Sequence, residues 1–197
     1  MLRQEIKFIT NSNKFKNIIS NFNLNKLYES RMIYSIYFDT HDYKLFRLSE
    51  EGVSPRYKVR LRSYDFNFHK VNLEIKKTKN YLREKIVVKD IFYNKNSLRN
   101  NLIKLGITEN LSPILQVSYE RKYYNSYFGR ITFDTNIKYT KVNKNLKNIL
   151  PNSKDTFEIL EVKNNNQYDK YQVMQLLNLK ETRFSKYCQG INKIIFY

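Results

Sequence analysis

Glycine, proline and cysteine are scarce in this chain of 197 residues, which has four glycines, three prolines, one cysteine and no tryptophan. With so few breaking residues, no linker, internal repeat or break in composition divides the sequence, and we predict one domain over residues 1–197. The single cysteine, Cys188, excludes an internal disulfide and fits a reducing compartment, so we expect a cytoplasmic protein. No apolar run approaches the roughly 18 residues of a membrane span, and the N-terminus lacks the apolar region of a signal peptide.

Acidic residues are scarce as well. The chain has 36 Lys and Arg against 18 Asp and Glu, a formal charge of +18, which indicates polyanionic partners such as nucleic acid, a phosphorylated metabolite or an anionic membrane surface. Hydrophobic residues make up 41% of the chain, enough for a globular core. We find no phosphate-cradling Gly-rich loop, no HExxH and no nucleophile elbow, so the chemistries that depend on those motifs are not predicted.

Apolar residues at helical spacing predict three helices, over 11–22, 97–105 and 168–179. Most of the remaining chain alternates polar and apolar residues with the period of a β-strand, in about eight segments. These segments predict an α+β protein dominated by an antiparallel sheet or barrel, with the amphipathic helices as its cover.

The segment "YKVRLR" shows the alternation most clearly, because Lys58, Arg60 and Arg62 share one face of the strand and Tyr57, Val59 and Leu61 share the other. Two interpretations are open for such a strand. Its basic face lies in solvent on a one-sided sheet, or it lines an enclosed space that must then hold an anion.

A repeated spacing favours the enclosed space. Three strands place an acid two residues before a lysine, namely Glu5 and Lys7, Glu74 and Lys76, and Glu161 and Lys163. Buried cations need a polyanion, and arginine grips phosphate oxygens through its planar fork. Carboxylates beside phosphates need a bridging divalent cation, so the pattern indicates Mg²⁺- or Mn²⁺-assisted chemistry on a chain of phosphates.

The sequence resembles the VTC domain of polyphosphate polymerases, within the triphosphate tunnel metalloenzyme fold. The resemblance rests on eight motifs in order: "RQEIKF", "SIYFDT", "KVRLR", "LEIKK", "YERKYY", "RITFDT", "LEVK" and "RFSKY". It implies an eight-stranded antiparallel β-barrel tunnel that is covered by a few helices and binds triphosphate or polyphosphate with a divalent metal.

The same resemblance assigns roles to residues of this chain. The tunnel residues that act on the phosphates are expected to be Lys7, Arg60, Arg62, Lys76, Arg121 and Arg130. Further phosphate ligands are expected at Lys58, Lys85, Tyr119, Lys163, Arg183, Ser185 and Lys186. Glu161 is expected to bind the metal, with Glu5 and Glu74 as further candidates.

The activity implied by the resemblance is transfer of the γ-phosphoryl group of ATP, or of another nucleoside triphosphate, to a growing inorganic polyphosphate. Transfer to water instead, as in a triphosphatase or polyphosphatase, is the nearest alternative. A non-catalytic module that binds polyphosphate or nucleic acid is the alternative of another class. The nucleic-acid alternative is disfavoured, because the basic residues follow strand alternation and are paired with acids, which a groove for a nucleic acid backbone does not need.

Other polar and aromatic residues are expected to have structural roles. His41 and His69 lack metal-ligand spacing and are expected at the surface, and Cys188 is expected to pack in the interior. Tyr123, Tyr124 and Tyr127 are expected to pack the sheet against its helices. Asp39 and Asp134, which each follow an aromatic residue in "FDT", are expected to make local hydrogen bonds rather than bind metal.

Overall fold

The computed structural model of the chain describes residues 5–66, 68, 70–80, 82–92, 94–164 and 168–196, without the side chains of residues 148–151. The chain divides into two compact units. The first unit consists of Met1–Met32, Tyr119–Ile137 and Lys154–Ser185. The second unit consists of Ile33–Ser118, Lys138–Ser153 and Lys186–Tyr197. A single domain over 1–197 stays a prediction.

The described residues form five α-helices and a closing π-helix. These are α1 (Ser12–Asn21), α2 (Lys44–Glu51), α3 (Lys95–Lys104), α4 (Lys170–Leu177), α5 (Lys186–Ile191) and the π-helix Asn192–Phe196. The three predicted helices are α1, α3 and α4, and each begins after a side-chain cap. Asn11 accepts from the backbone N–H of Lys14 at 2.9 Å, and Asn94 and Asp169 cap the other two. Helices α2 and α5 were not predicted.

Nine strands lie in the described part of the chain. They are β1 (Glu5–Thr10), β2 (Asn25–Asp39), β3 (Arg56–Ser63), β4 (Val71–Lys79), β5 (Leu82–Ile91), β6 (Ser112–Ser126), β7 (Gly129–Val142), β8 (Asn148–Lys154) and β9 (Glu158–Asn164). Eight of them match the predicted segments, and β8 is additional.

The strands form one sheet in the hydrogen-bonded order β1-β9-β7-β6-β2-β3-β4-β5, and β8 pairs with β7. The pairings β1 with β9, β7 with β9, β2 with β3, β3 with β4 and β4 with β5 are all antiparallel. The prediction of an α+β fold with an antiparallel sheet and covering helices is therefore confirmed. In the described residues the pairing order ends at β1 and β5, so the sheet is not closed, in contrast to the barrel that was expected.

In the first unit, the apolar face of the strands packs on α1 and α4. Ile6 and Phe8 of β1 lie beside Leu160 and Val162 of β9, and Phe133 of β7 continues the face. The helices contribute the buried side chains of Phe15, Ile18, Val173 and Leu177. Phe15 stacks on Phe133 with the ring centroids 3.8 Å apart. Because alternate residues point to opposite faces, this core leaves the polar residues of the same strands on the other face.

The second unit repeats this arrangement with α3 as the cover. Its core is formed by alternate residues of four adjacent strands, among them Ile36, Val59, Leu73 and Ile86, together with Leu98 and Leu102 of α3. The residues between them on the same strands are the charged ones of the motifs.

Gly129, at the start of β7, lies against the backbone of β9. Its φ is +134°, and a Cβ there would stand 2.3 Å from the carbonyl oxygen of Lys163. We expect Gly129→Ala to lower the free energy of unfolding by about 3 kcal/mol, because it combines a disfavoured backbone conformation with a clash against a strand. Gly106→Ala is the matched control: φ is +76° and no described atom lies within 4 Å, so about 1 kcal/mol is expected. Urea denaturation measures both, and equal losses would show that the contact with β9 is unimportant.

In the described residues, no helix combines the length and the apolar character that crossing a membrane requires.

Candidate functional site

The charged residues of the first unit lie together on the face opposite its core. We call this the first charged face. Strand register places Glu5 opposite Lys163, Lys7 opposite Glu161 and Arg130 opposite Lys163. The face consists of Glu5, Lys7, Tyr119, Arg121, Arg130, Asp134, Glu161 and Lys163.

Arg121 of β6 and Asp134 of β7 form a buried ion pair on this face. Arg121 donates from Nε to Oδ1 of Asp134 at 2.5 Å and from Nη2 to Oδ2 at 2.6 Å. Asp134 is 0% exposed. Burial lowers the pKa of Arg121, but the charge of Asp134 outweighs it and raises that pKa well above its ordinary value. The pair fixes the plane of the guanidinium, which also contacts the buried Tyr119, with its carbon 5.3 Å from the ring centroid.

Glu161 lies at the centre of the cations on the first charged face. Its carboxylate is 3.9 Å from Nη2 of Arg121 and 3.9 Å from Nζ of Lys163. Burial raises the pKa of Glu161, whereas the charges of Arg121 and Lys7 lower it, and the net pKa lies below its ordinary value. The side chain is therefore an anion at neutral pH, in a strongly positive setting.

Glu5 and Glu161 are the two carboxylates of this face that were predicted to bind a divalent cation, and that role stays a prediction. Lys163 Nζ is 3.2 Å from Glu5 and 3.9 Å from Glu161, and the negative charge of Glu5 opposes ionisation of Glu161. Two carboxylates that repel each other suit Mg²⁺ or Mn²⁺, which use one or two protein carboxylates and complete their shell with water or phosphate oxygens. In the described residues no group of three or more His, Cys, Asp or Glu is arranged to hold a metal.

The closing motif is tied to β1 within the first unit. The backbone N–H of Thr182 donates to the carbonyl of Lys7 at 2.8 Å, and Lys7 Nζ donates to the carbonyl of Phe184 at 2.9 Å. These two bonds hold Arg183, which is exposed, and Ser185 next to Lys7. The structure thus brings two predicted phosphate ligands of the C-terminal motif beside one of the N-terminal motif.

The charged residues of the second unit also share one face, which we call the second charged face. Strand register places Tyr37 opposite Arg60, Arg60 opposite Glu74, and Lys76 opposite both Lys58 and Lys85. The face consists of Tyr37, Lys58, Arg60, Arg62, Glu74, Lys76 and Lys85.

Glu74 is the centre of the second charged face. Its Oε2 accepts from Nε of Arg60 at 2.8 Å and from Nη2 at 2.5 Å, and its Oε1 accepts from Lys85 at 2.8 Å. Arg62 Nη1 is 3.7 Å from the same Oε1. Burial raises the pKa of Glu74, but Arg60, Arg62 and Lys85 outweigh it and hold the pKa at about 2. These three cations favour an ion-pair role for Glu74, and its predicted role as a metal ligand stays a prediction.

Neither charged face is an ordinary solvated surface. Arg62 is 9% exposed, Glu74 5% and Glu161 8%. Charged groups at such burial are expensive unless they are paired or bind a counter-ion. The ion pairs around Glu74 and Glu161 meet this cost, so an enclosed, anion-binding space stays a prediction, and Lys76 and Lys85 are exposed at the edge of the second face.

Tyr37, Asp39 and Tyr187 belong to the setting of the second charged face, although the sequence did not single out the two tyrosines. Tyr37 accepts a hydrogen bond from Nη1 of Arg60 at 2.9 Å and stacks on Tyr187 with the centroids 5.0 Å apart. Burial raises the pKa of Tyr37, but Arg60 and Arg62 bring it below its ordinary value. The signal that was available is strand alternation, which places Tyr37 on the same face as Asp39.

Lys58 occupies the side of the second charged face near α5. Lys58 Nζ lies 3.8 Å from Sγ of Cys188 and 5.6 Å from the ring centroid of Tyr187, and burial lowers its pKa. Lys186 is the first residue of α5. Both side chains are partly exposed.

His41, Cys188 and Tyr124 are placed as expected, whereas Tyr123 packs edge-on against Tyr28 of strand β2 instead of a helix. His41 is exposed and Cys188 is 4% exposed. Tyr124 packs edge-on against Phe15 of α1. His69 lies outside the described residues.

Asp39 and Asp134 have buried structural partners. Asp39 accepts from the backbone N–H groups of Leu45 and Phe46 at 2.9 and 3.0 Å, at the start of α2. Asp134 accepts hydrogen bonds from Arg121, which lies on the neighbouring strand β6.

The Glu74 ion pairs predict a specific pH dependence of stability. Because its folded pKa of about 2 lies below the ordinary value of 4.5, its stabilisation is complete above about pH 4.5 and is lost as the pH falls towards 2. We expect Glu74→Gln to lower the free energy of unfolding by about 3 kcal/mol at pH 7, and the difference from wild type to shrink across that window. Urea denaturation between pH 7 and pH 2 measures this. Glu29→Gln, at an 87% exposed side chain, is the control with a change of at most about 1 kcal/mol. A pH-independent difference would contradict the assignment.

Comparison with known proteins places the chain in a family. The family model described as the VTC domain matches residues 2–195. No curated protein matches the sequence.

Several solved structures share the fold. A candidate adenylate cyclase of Bacillus halodurans is 13% identical, with a TM-score of 0.57, and the match covers 95% of this chain and 96% of that one. One of Vibrio parahaemolyticus is 14% identical, with a TM-score of 0.55 and 98% of both chains covered. A candidate adenylyl cyclase of Hippeastrum, described as having a dominant triphosphatase activity, is 12% identical, with a TM-score of 0.55 and 98% and 97% covered. At these identities the likeness shows the fold.

Proposed function

The chain belongs to the VTC domain family, and we propose that it is a metal-dependent polyphosphate polymerase that transfers the γ-phosphoryl group of ATP to the end of a growing polyphosphate. The observation that carries the proposal is the grouping of cations from different strands on the two charged faces, each around a buried carboxylate. A linear chain of phosphates has the charge density that such faces require.

Each charged face is proposed to bind phosphate groups. On the first face, Lys7, Arg121, Arg130 and Lys163 supply positive charge, and the Asp134 pair fixes the orientation of Arg121 before substrate arrives. On the second face, Arg60, Arg62 and Lys85 supply positive charge, and Glu74 fixes their positions. Positive charge that is fixed in advance lowers the barrier to phosphoryl transfer, because no reorganisation is needed when charge moves to the leaving oxygen.

The acceptor phosphate is itself the nucleophile in this reaction, so no catalytic Ser, Cys or His is required. Its terminal oxygen forms the new P–O bond, and the bond between the γ-phosphorus and the bridging oxygen of ATP breaks to release ADP. Glu161, with Glu5, would hold Mg²⁺ or Mn²⁺, which supplies further charge neutralisation on phosphate oxygens. The side chains position the two phosphates in line.

Triphosphate hydrolysis is the second candidate function. It needs the same phosphate-binding residues with water as the acceptor. The observation that favours it is the fold shared with the Hippeastrum protein, which is described as having a dominant triphosphatase activity.

The test is to incubate the purified protein with γ-labelled ATP and Mn²⁺ or Mg²⁺, with and without short polyphosphate, and to separate the products by size. A ladder of long polyphosphate is the result expected of a polymerase. Release of orthophosphate alone would replace the proposal with a triphosphatase. Tight triphosphate binding without turnover would leave a binding protein and contradict both candidate enzymes.

A further inference from the structure

Arg60 is the residue of the second charged face whose side chain is held from both sides. Its Nε and Nη2 both donate to the same oxygen, Oε2 of Glu74, at 2.8 and 2.5 Å. Two bonds to one oxygen leave the guanidinium able to swing about that oxygen. A third bond, from Nη1 to the hydroxyl of Tyr37 at 2.9 Å, lies on the opposite side and prevents the swing.

The hydroxyl of Tyr37 is itself held rigidly. Tyr37 is 6% exposed, and its ring stacks on Tyr187 at 5.0 Å with an interplanar angle of 26°. Tyr187 is 1% exposed, and its hydroxyl donates to Asp39 Oδ2. Asp39 is 0% exposed and is fixed by the backbone N–H groups of Thr40, Leu45 and Phe46 at 2.7, 2.9 and 3.0 Å.

These contacts form a continuous chain from the start of α2 to a phosphate-binding arginine. The members are Asp39, Tyr187 of α5, Tyr37 of β2 and Arg60 of β3, and all belong to the second unit. Each link is a hydrogen bond or a ring stack. Asp39, Tyr187 and Tyr37 are buried and have few other positions available in a close-packed interior, and they support the half-buried Arg60. Removing the hydroxyl of Tyr37 or of Tyr187 should therefore loosen the position of the Arg60 guanidinium.

We propose that Tyr37, backed by Tyr187, is a positioning residue for the phosphate-binding guanidinium of Arg60. The proposal rests on the function proposed above, since it takes Arg60 as a phosphate ligand. A guanidinium fixed in advance loses less conformational entropy when it forms a bidentate bond to phosphate oxygens, so the hydroxyl contributes to affinity without touching the ligand.

The experiment is a double-mutant cycle on binding of inorganic triphosphate, measured by calorimetry with folding checked by circular dichroism. Tyr37→Phe removes the hydroxyl and keeps the ring. We expect it to weaken triphosphate binding roughly tenfold in the wild-type background, the size of one hydrogen bond to a charged group. In the Arg60→Ala background the same change is expected to alter affinity by less than about twofold, because the group that Tyr37 positions is absent.

Tyr34→Phe is the matched control. Tyr34 lies on the same strand but three residues earlier and therefore on the opposite face, where it contacts Phe66 and Phe68. Tyr34→Phe also removes one tyrosine hydroxyl, but this variant should keep the wild-type affinity for triphosphate. Tyr187→Phe, which removes the bond to Asp39, should weaken binding in the same direction as Tyr37→Phe but less, and it carries the test if Tyr37→Phe does not fold.

The outcomes separate the two proposals. If wild type binds triphosphate and Tyr37→Phe binds it as tightly as Tyr34→Phe does, the positioning role is wrong while the proposed function stands. An equal loss in both Arg60 backgrounds would also overturn it, because Tyr37 would then act independently of Arg60. If wild type does not bind triphosphate, the proposed function fails and this inference fails with it.

Discussion

Arg121→Met is expected to lower the free energy of unfolding by about 3–5 kcal/mol, the largest stability effect that the structure predicts. The change removes both hydrogen bonds to Asp134 and leaves a carboxylate that is 0% exposed without its bidentate partner. Methionine keeps most of the side-chain volume, so the loss reports on charge and hydrogen bonding more than on packing. Urea denaturation at pH 7 measures it.

Arg47→Met is the control for this prediction. Arg47 also pairs with an aspartate, Asp42, at 2.6 Å, but the two side chains are 52% and 61% exposed. Water replaces the lost bonds at such a site, so a change of at most about 1 kcal/mol is expected. The double change of Arg121→Met with Asp134→Leu should recover most of the loss, since no buried charge is left unpaired. A loss at Arg121 no larger than the one at Arg47 would show that the buried pair is not a strong structural contact.

Glu161→Gln is expected to have the largest effect on turnover, a reduction of roughly 100- to 1,000-fold in labelled phosphate transferred from ATP. The carboxylate is proposed to hold the metal with Glu5, and an amide is a much weaker ligand for Mg²⁺ or Mn²⁺. Triphosphate binding without metal should be retained or become tighter, because the change removes a negative charge from among Arg121, Lys7 and Lys163.

Glu158→Gln is the matched control for Glu161. Glu158 lies three residues earlier on β9, on the opposite face, where its carboxylate accepts from the hydroxyl of Ser12 at 2.7 Å. The turnover of the Glu158→Gln variant should remain within about twofold of wild type, as is usual for substitutions away from a reacting centre. Unchanged turnover in Glu161→Gln would remove Glu161 from the mechanism. Loss of triphosphate binding together with turnover would indicate that Glu161 organises the face rather than binding metal.

Strand alternation predicted which residues of each strand share a face, because the side chains of a strand repeat with a period of two and the apolar ones are buried. Lys58, Arg60 and Arg62 could be placed together on this basis, and so could Glu161 and Lys163. Helices α1, α3 and α4 followed from the helical spacing of their apolar residues.

The elements that were missed lack such local signals. Helix α2 starts at a left-handed Tyr43 without a side-chain cap of its own, and Asp39 caps its backbone from the end of β2. Strand β8 contains Pro151, which sequence rules disfavour in a strand. Helix α5 has only six residues, too few for a periodic pattern.

The partners of the charged residues depend on contacts distant in sequence. Glu5 and Glu74 look alike in sequence, each two residues before a lysine. In the structure Glu5 shares Lys163 with Glu161, whereas Glu74 binds Arg60, Arg62 and Lys85. Tyr187 reaches Asp39 across 148 positions of the chain. No local pattern reports such contacts.

The central claim is that the charged faces bind a linear chain of phosphates. Its most direct test is calorimetric titration of the purified protein with inorganic triphosphate at physiological ionic strength, compared with titration with a short single-stranded RNA. We predict saturable triphosphate binding that weakens at least tenfold in Arg60→Ala, and RNA binding that is weaker and displaced by triphosphate. Tight RNA binding that triphosphate does not displace, with triphosphate affinity unchanged in Arg60→Ala, would contradict it.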